Sequence, residues 1–239
     1  TDQRYRAARE ELAQANRLGS LGQITAGVAH EINQPVAAIR SFAENAQGFL
    51  AKGDDARADG NLSRIVELTQ RIGTITAELR NFARRRTPET GPVDVDAVIE
   101  STLLLIGDRV RAQGVVLERT GPAGLQVTAD RVRLEQILIN LIQNALDALA
   151  GRKEAVIRII TNRIADGIEI DVADNGPGVP ANLTDELFMP FVTGRTEGLG
   201  LGLPIARNIA RDFGGELSLT ESALGGATFR LSLPEAAHG

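Results

Sequence analysis

Between Leu18 and Phe49, apolar or small residues recur at alternating steps of three and four. The series is Leu18, Leu21, Thr25, Val28, Ile32, Pro35, Ile39, Phe42, Ala46 and Phe49. That is the a/d stripe of a coiled coil or helical bundle. After the polar, turn-rich segment KGDDARADG, read as a loop, the spacing resumes at Leu62, Ile65, Thr69, Ile72, Thr76, Leu79 and Phe82. The pattern therefore predicts two long helices, the first ending near Lys52. Two helices with one stripe each cannot enclose a core. The economical solution is a homodimeric four-helix bundle; the alternative is a hairpin packed on its own second domain.

The helical pattern stops at RRRTPETGPVD, where Pro88, Gly91 and Pro92 break it. Beyond it, periods of two and 3.6 mix. Helices are expected at Asp96–Ala112, Arg131–Ala150 and Leu203–Phe213, the last ended by Gly214 and Gly215. Strands are expected at Val115–Thr120, Leu125–Thr128, Ala155–Asn162, Gly167–Ala173, Glu216–Glu221 and Ala227–Leu233. This reads as an α/β sandwich with helices on one face of a mixed sheet. The chain of 239 residues has room for two such domains.

Composition removes several chemistries. There is no cysteine, so thiol nucleophiles, disulfides and zinc-thiolate sites are excluded. No apolar run reaches the ~18–20 residues of a membrane span. Net charge is −5, and even the more basic first ninety residues hold 13 basic against 11 acidic side chains. A nucleic-acid footprint is absent, and no nucleic-acid partner is expected. The opening TDQRYRAAREELAQ is polar and helical rather than a secretory leader. It lacks a starting Met, so a fragment of something longer is expected.

Of the two histidines, His238 stands beside the C-terminus and His30 lies mid-helix in AGVAHEINQP. At 100° per residue, Val28 and Ile32 define the stripe and His30 points away from it. An exposed helical histidine is by itself bland. Here Glu31 adjoins it, and a carboxylate can hold one ring nitrogen protonated while the other stays nucleophilic. Pro35 removes the backbone bond to the Glu31 carbonyl, which predicts a bend one turn beyond His30.

Three further segments carry signals. LEQILINLIQNALDAL sets Asn140 and Asn144 four apart on one helical face. They are either hydrogen-bond satisfiers or oxygen donors to Mg²⁺, which takes few protein ligands. In DVADNGPGVP, Asp174 ends a strand, and Gly176 and Gly178 permit close backbone approach. The segment is either a plain turn or a place where a carboxylate accepts from the exocyclic amine of adenine. GLGLGLPIARNIA runs Gly198, Gly200 and Gly202 into a helix, whose first N–H groups can cradle phosphate. Neither the Walker spacing nor the dinucleotide fingerprint is present.

Together these residues resemble the bacterial sensor histidine kinases. HEINQP resembles the phosphoacceptor box. NLIQNA, DNGPGVP, LFMPF and GLGLGL resemble the asparagine, first glycine, phenylalanine and second glycine boxes, in the usual order. HEINQP with NALDA is most similar to the C4-dicarboxylate and nitrogen-sensor branch. The resemblance implies an α + α/β chain. Residues 1–87 would be a dimerisation and histidine-phosphotransfer hairpin, and residues 92–235 a Bergerat (GHKL) ATP-binding sandwich. It implies that His30 is the phosphoacceptor, Glu31 its acid/base partner and Asn144 the Mg²⁺ ligand, with Asn140 lining the phosphates. Asp174 would bind the adenine amine, and Gly176 and Gly178 would shape the base pocket. Gly198, Gly200 and Gly202 would border the phosphates, while Phe188 and Phe191 anchor the lid between them. ATP and Mg²⁺ are the implied cofactors. A second copy of the chain and the receiver domain of a response regulator are the implied partners. The location implied is the cytoplasmic part of a larger inner-membrane sensor.

Three positions depart from the family pattern. The lid VTGRTE is short and lacks the usual lysine, leaving Arg195 as the cation for the γ-phosphate. Pro204 stands where Ser or Thr is common. Gln34, four after the histidine, stands where Thr or Asn supports phosphatase activity. Two other classes fit parts of the pattern. A nucleotide-gated scaffold would use the pocket without phosphorylating His30. A gyrase-like ATPase would need a carboxylate base where this chain has Asn140, and an amide cannot take a proton.

Overall fold

The computed structural model describes residues 32–83, 89–190, 192 and 200–237. The chain divides into two compact units at residues 84/85.

The first unit is a pair of helices, α1 (residues 32–50) and α2 (Asp55–Ala83). Leu18, Leu21, Thr25 and Val28 of the expected stripe lie outside the described residues. On α1 the rest of the stripe holds: Pro35 and Ala46 are buried, and Ile32, Ile39, Phe42 and Phe49 are half-buried. The segment expected as a loop is mostly helix. The connection is only residues 51–54, and Asp54 Oδ1 accepts from the Arg57 N–H at 3.3 Å to start α2. That cap, followed by residues with no breaker before Gly60, outweighed the polar composition.

Among the described residues, the stripe expected on α2 is met within one chain at Ile65 and Ile72 only. Ala58 and Ile75 are buried, and Asn61, Ile65, Leu68 and Ile72 are half-buried. Leu62 and Val66 remain 48% and 55% exposed, and Thr69 and Thr76 are exposed too. The sequence pattern mixed two lines of side chains. The inner line was hidden because a small alanine and an asparagine occupy it. Asn61 can sit there because its Nδ2 donates to the Arg57 carbonyl at 2.7 Å. The side chains of Leu79 and Phe82 lie outside the description.

The second unit opens with β1 (Gly91–Asp94), within the stretch expected only to break the helix. It pairs antiparallel with β3 (Gln126–Ala129). Between them lie α3 (Val95–Ala112) and β2 (Val116–Thr120). Pro92 did not prevent strand pairing, because proline is tolerated on edge strands. Then follow α4 (Arg131–Ala148), β4 (Val156–Ile164), β5 (Gly167–Asp174), α5 (Gly202–Asp212), β6 (Glu216–Thr220) and β7 (Thr228–Leu233). A short 3₁₀ turn spans Ala181–Leu183. The main sheet has the order β2-β4-β5-β7-β6, parallel between β2 and β4 and antiparallel elsewhere.

Alternation gives the sheet one apolar face. Ile157, Ile159, Ile168, Ile170, Val172, Phe229, Leu231 and Leu233 are buried on it. The helices meet it with Leu134, Ile137, Leu138, Leu141, Ile142, Ile205 and Ile209. The opposite face carries ion pairs across neighbouring strands. Arg230 grips Asp171 with two bonds of 2.9 and 2.8 Å, and Arg158 Nε reaches Glu118 Oε2 at 2.6 Å. Asp94 and Asp130 cap α3 and α4 through the N–H groups of Ala97 and Arg133 at 3.0 and 3.1 Å. Those two caps fix where the helices begin relative to the sheet. Among the described residues, no helix is long and apolar enough to cross a membrane.

One core position is mispaired. Thr102 on α3 is fully buried and its Oγ1 has no hydrogen-bond partner. A desolvated hydroxyl without a partner costs about 1–3 kcal/mol. Thr102→Val is therefore expected to raise the urea midpoint of the whole chain by an amount corresponding to about 1 kcal/mol. A lowered midpoint would show that the hydroxyl is paired in solution.

Candidate nucleotide-binding site

Asp174 ends β5 and is 3% exposed. A carboxylate that deep must be hydrogen-bonded. Its Oδ1 accepts from the N–H groups of Gly176 at 2.8 Å and Ala227 at 3.3 Å, and its own N–H donates to the Ala227 carbonyl at 2.9 Å. Asn175 ties the same strand end to β4. Its Oδ1 accepts from the Val156 N–H at 2.9 Å and its Nδ2 donates to the Glu154 carbonyl at 2.6 Å. Asp174 is thus held from both neighbouring strands.

Glycines are obligatory around this acid. A Cβ on Gly226 would clash with Asp174 O and Oδ1 and stand 2.5 Å from the Gly176 nitrogen. A Cβ on Gly176 would lie 2.8 Å from Asp174 Oδ1 and 3.3 Å from the Ala148 carbonyl oxygen. Gly178 has φ +77°, a left-handed conformation that favours glycine. Beside this corner, Thr228 is 5% exposed and its Oγ1 has no partner. Thr228 pairs with Ala173 and so lies on the sheet face opposite Asp174, which leaves the buried carboxylate as the group that fits a donor-bearing heterocycle.

The other end of the site is built on the same helix. Asn140 of α4 donates through Nδ2 to the Gly202 carbonyl at 3.1 Å, pinning the start of α5. A Cβ on Gly202 would lie 3.8 Å from Asn140 Cγ, an ordinary contact, and Gly200, two residues earlier, has φ +63°. The α4 helix therefore touches the Gly176 turn at Ala148 and the glycine-led helix start at Asn140. Eight residues of helix separate those points by about 12 Å. The site is elongated, with an acid at one end and helix N–H groups at the other. Asn144 lies midway on the Asn140 face and is half-buried. Pro204 is buried in the first turn of α5, where a missing N–H costs little.

From Pro180 to Val192 the backbone closes successive three-residue turns: Leu183, Glu186, Met189 and Val192 donate to Pro180, Leu183, Glu186 and Met189. Phe188 fixes that run to the sandwich. Its ring meets Phe229 of β7 edge-on, centroids 6.5 Å apart at 89°, and the Arg207 guanidinium of α5 lies over it at 4.5 Å. Arg207 and Arg211 both bond Glu216, at 2.6 and 3.0 Å. Burial alone would raise the Glu216 pKa. The hydrogen bonds from Arg211 and Arg207, with their charges, outweigh it and hold the carboxyl below its usual value.

Of the residues singled out from sequence, Asn140 and Gly202 are brought together, and Asp174, Gly176 and Gly178 form one turn. Phe188 is packed as an anchor, and Gln34 is exposed on α1. His30, Glu31, Phe191, Arg195 and Gly198 lie outside the described residues. Sequence reading missed the roles of Asn175, Gly226 and Arg207. An Asp-Asn-Gly turn was a usable signal for Asn175. Gly226 looked like an ordinary turn glycine, and Arg207, though inside GLGLGLPIARNIA, carried no signal of its own. Among the described residues, no group of three His, Asp or Glu side chains could hold a metal ion. An amide-lined site suits only a cation that draws most of its ligands from phosphate and water, as Mg²⁺ does.

A helical hairpin followed by a sandwich with this acid, these glycines and this helix start defines a nucleotide-binding core of the GHKL type. Residues 20–88 match the His Kinase A (phospho-acceptor) domain. Residues 129–237 match the family described as histidine kinase-, DNA gyrase B-, and HSP90-like ATPase. The chain is 46% identical over 238 residues to the C4-dicarboxylate transport sensor protein DctB of Rhizobium meliloti, covering 99% of this chain and 38% of that protein. It is 42% identical to the DctB of Pseudomonas aeruginosa, covering 95% of this chain and again 38% of the relative. The crystal structure of histidine kinase ThkA in complex with response regulator protein TrrA superposes with a TM-score of 0.75 at 27% identity. It covers 95% of this chain and 66% of that one. The ThkA catalytic domain alone matches at 30% identity with a TM-score of 0.57, covering 62% of this chain and 96% of that one. The chain belongs to the sensor histidine kinases. It spans 38% of the length of the DctB relatives.

Proposed function

We propose that the chain transfers the γ-phosphoryl group of Mg-ATP to His30 and then to an aspartate of a response-regulator receiver domain. The observation that carries the reading is the buried Asp174 carboxylate, locked by Gly176 and Ala227 at one end of α4, with Asn140 holding the glycine-led start of α5 at the other. Asp174 accepts from the adenine amine. The first N–H groups of α5 face the phosphates. Asn144 is the protein ligand for Mg²⁺, which neutralises phosphate charge when bound. Arg195 supplies a further cation at the γ-phosphate.

In the transfer itself, a ring nitrogen of His30 attacks the γ-phosphorus in line and ADP leaves. Glu31 stabilises the proton on the other ring nitrogen. Phosphoryl transfer needs mainly positioning and charge neutralisation, so these residues suffice. The domains are taken as residues 1–87 for the phosphotransfer hairpin and 92–235 for the ATP-binding unit. The test is incubation of the chain with Mg-ATP: base-stable, acid-labile phosphate must appear, and a protein that binds ATP without taking up such phosphate is a scaffold instead.

The bundle reading adds a second copy. Leu62 and Val66 are large apolar side chains left exposed on α2, and Val36 is 46% exposed on α1. A homodimeric four-helix bundle would cover them. Sedimentation at micromolar concentration should give a dimer. A monomer of the whole chain contradicts the bundle.

Gln34 is exposed on α1, four residues after His30 in the sequence, and its amide has both a donor and an acceptor. We read it as the group that orients water toward the regulator's phospho-aspartate. Gln34→Ala should slow dephosphorylation of purified phospho-regulator to its spontaneous rate while autophosphorylation persists. Equal decay with wild type and variant removes the role. The whole protein is read as a larger sensor of the C4-dicarboxylate branch, with this chain on the cytoplasmic side of the inner membrane.

A further inference from the structure

We infer that Arg207 is a positioning residue for the nucleotide site, acting through Phe188. This rests on the proposed ATP pocket and gives a role to a residue of the GLGLGLPIARNIA segment to which its glycines assign none.

The argument starts from the run 180–192. Its backbone bonds are local, closing one turn at a time. Beyond the short 3₁₀ turn Ala181–Leu183, the described part of this run has no strand pairing or helix to fix its height above the sandwich. Phe188 gives it one. The ring lies between Phe229 of β7 and the Arg207 guanidinium of α5, which approaches to 4.5 Å. A cation over an aromatic face is attracted by the ring quadrupole. The guanidinium is not free to wander, because its Nε bonds Glu216 Oε1 at 2.6 Å and Glu216 also takes bonds of 3.0 and 3.3 Å from Arg211. Charge-assisted bonds of this kind fix a side chain's plane as well as its position.

The clamp reaches the pocket by two short paths. Phe229 is the neighbour of Thr228 and is two residues from Ala227, whose N–H donates to Asp174. Arg207 is on the same α5 whose first residue, Gly202, is held by Asn140. Arg207 therefore joins the base end and the phosphate end without touching nucleotide. Lysine would keep the charge and could still pair with Glu216, but it has no planar face to lay on Phe188.

The chain has no tryptophan, so Phe188→Trp introduces a single indole reporter at the clamp. In that background, Arg207→Met should raise the acrylamide quenching constant of the indole about twofold, and Arg207→Lys should raise it to an intermediate degree. In the native background, Arg207→Met should weaken Mg-ATP about tenfold by calorimetry, with Arg207→Lys between wild type and Met. Glu216→Gln, which keeps the stack but weakens its tether, should cost about twofold. Thermal melts without nucleotide separate this from unfolding: the order of the three variants in ATP affinity must not follow their order in melting temperature. Unchanged quenching in Arg207→Met, or ATP affinity within twofold of wild type, overturns the inference. A wild-type chain that binds no Mg-ATP overturns the proposed function instead; the quenching arm, which needs no nucleotide, still decides the clamp.

Discussion

His30→Gln is expected to abolish phosphate incorporation while leaving ATP affinity within a few-fold of wild type. The reasons are chemical and spatial. Glutamine approximates the size and polarity of histidine but has no nucleophilic nitrogen. The acid and glycines of the nucleotide site belong to the second compact unit, and residue 30 precedes the boundary at 84/85. Losing the acceptor should therefore stop chemistry without dismantling the pocket. The other histidine, His238, has Ala237 and Gly239 as its sequence neighbours, where His30 has Glu31. Filter-bound counts after acid and base treatment give the answer. Base-stable, acid-labile label remaining on His30→Gln at the wild-type level would move the acceptor elsewhere.

The second large effect belongs to the adenine corner. Asp174→Asn should weaken ATP by about 1–3 kcal/mol, the cost of an unpaired buried group. Asparagine can keep the bonds from Gly176 and Ala227 through its oxygen but presents an N–H donor where the amine donor arrives. Gly226→Ala should be at least as damaging, because its Cβ clashes with the backbone and side-chain oxygens of Asp174 and crowds the Gly176 nitrogen. Two backbone atoms and a buried, hydrogen-bonded carboxylate oxygen leave nowhere for the methyl to go. A pocket that pairs a base amine also rejects a base lacking one, so ATP should bind and GTP should not. Calorimetry with both nucleotides checks this. Equal affinities for ATP and GTP, or a Gly226→Ala protein with native ATP affinity, would refute the assignment.

Periodicity carried most of the architecture. Strong stripes such as Leu134 to Leu146 marked buried helices, and alternation along residues 167–173 marked a strand, because burial of one face leaves a regular trace. It failed where another force decided the outcome. β1 was hidden by two glycine and proline breakers, since strand pairing depends on a partner, residues 126–129, that local pattern does not announce. The inner stripe of α2 was hidden because packing in a two-helix layer accepts alanine and a self-satisfied asparagine as readily as leucine. In the site, residues whose role is local chemistry were legible: Asn140, Asp174, Gly176, Gly178 and Gly202 all sit in recognisable strings. Gly226 was not, and Arg207, though inside GLGLGLPIARNIA, showed no role there, since both act through contacts made far along the chain, from 174 to 226 and from 188 to 207. A clash or a stack between distant segments leaves no spacing to read.

The central claim is that this chain moves phosphate from ATP onto one histidine. The most direct measurement is peptide mapping of the wild-type chain after Mg-ATP incubation, kept at alkaline pH so that phosphohistidine survives. The account predicts one phosphorylated peptide, containing HEINQP, with the added mass on His30. Phosphate on a serine, threonine or aspartate, or on no peptide while ATP is bound, would contradict it.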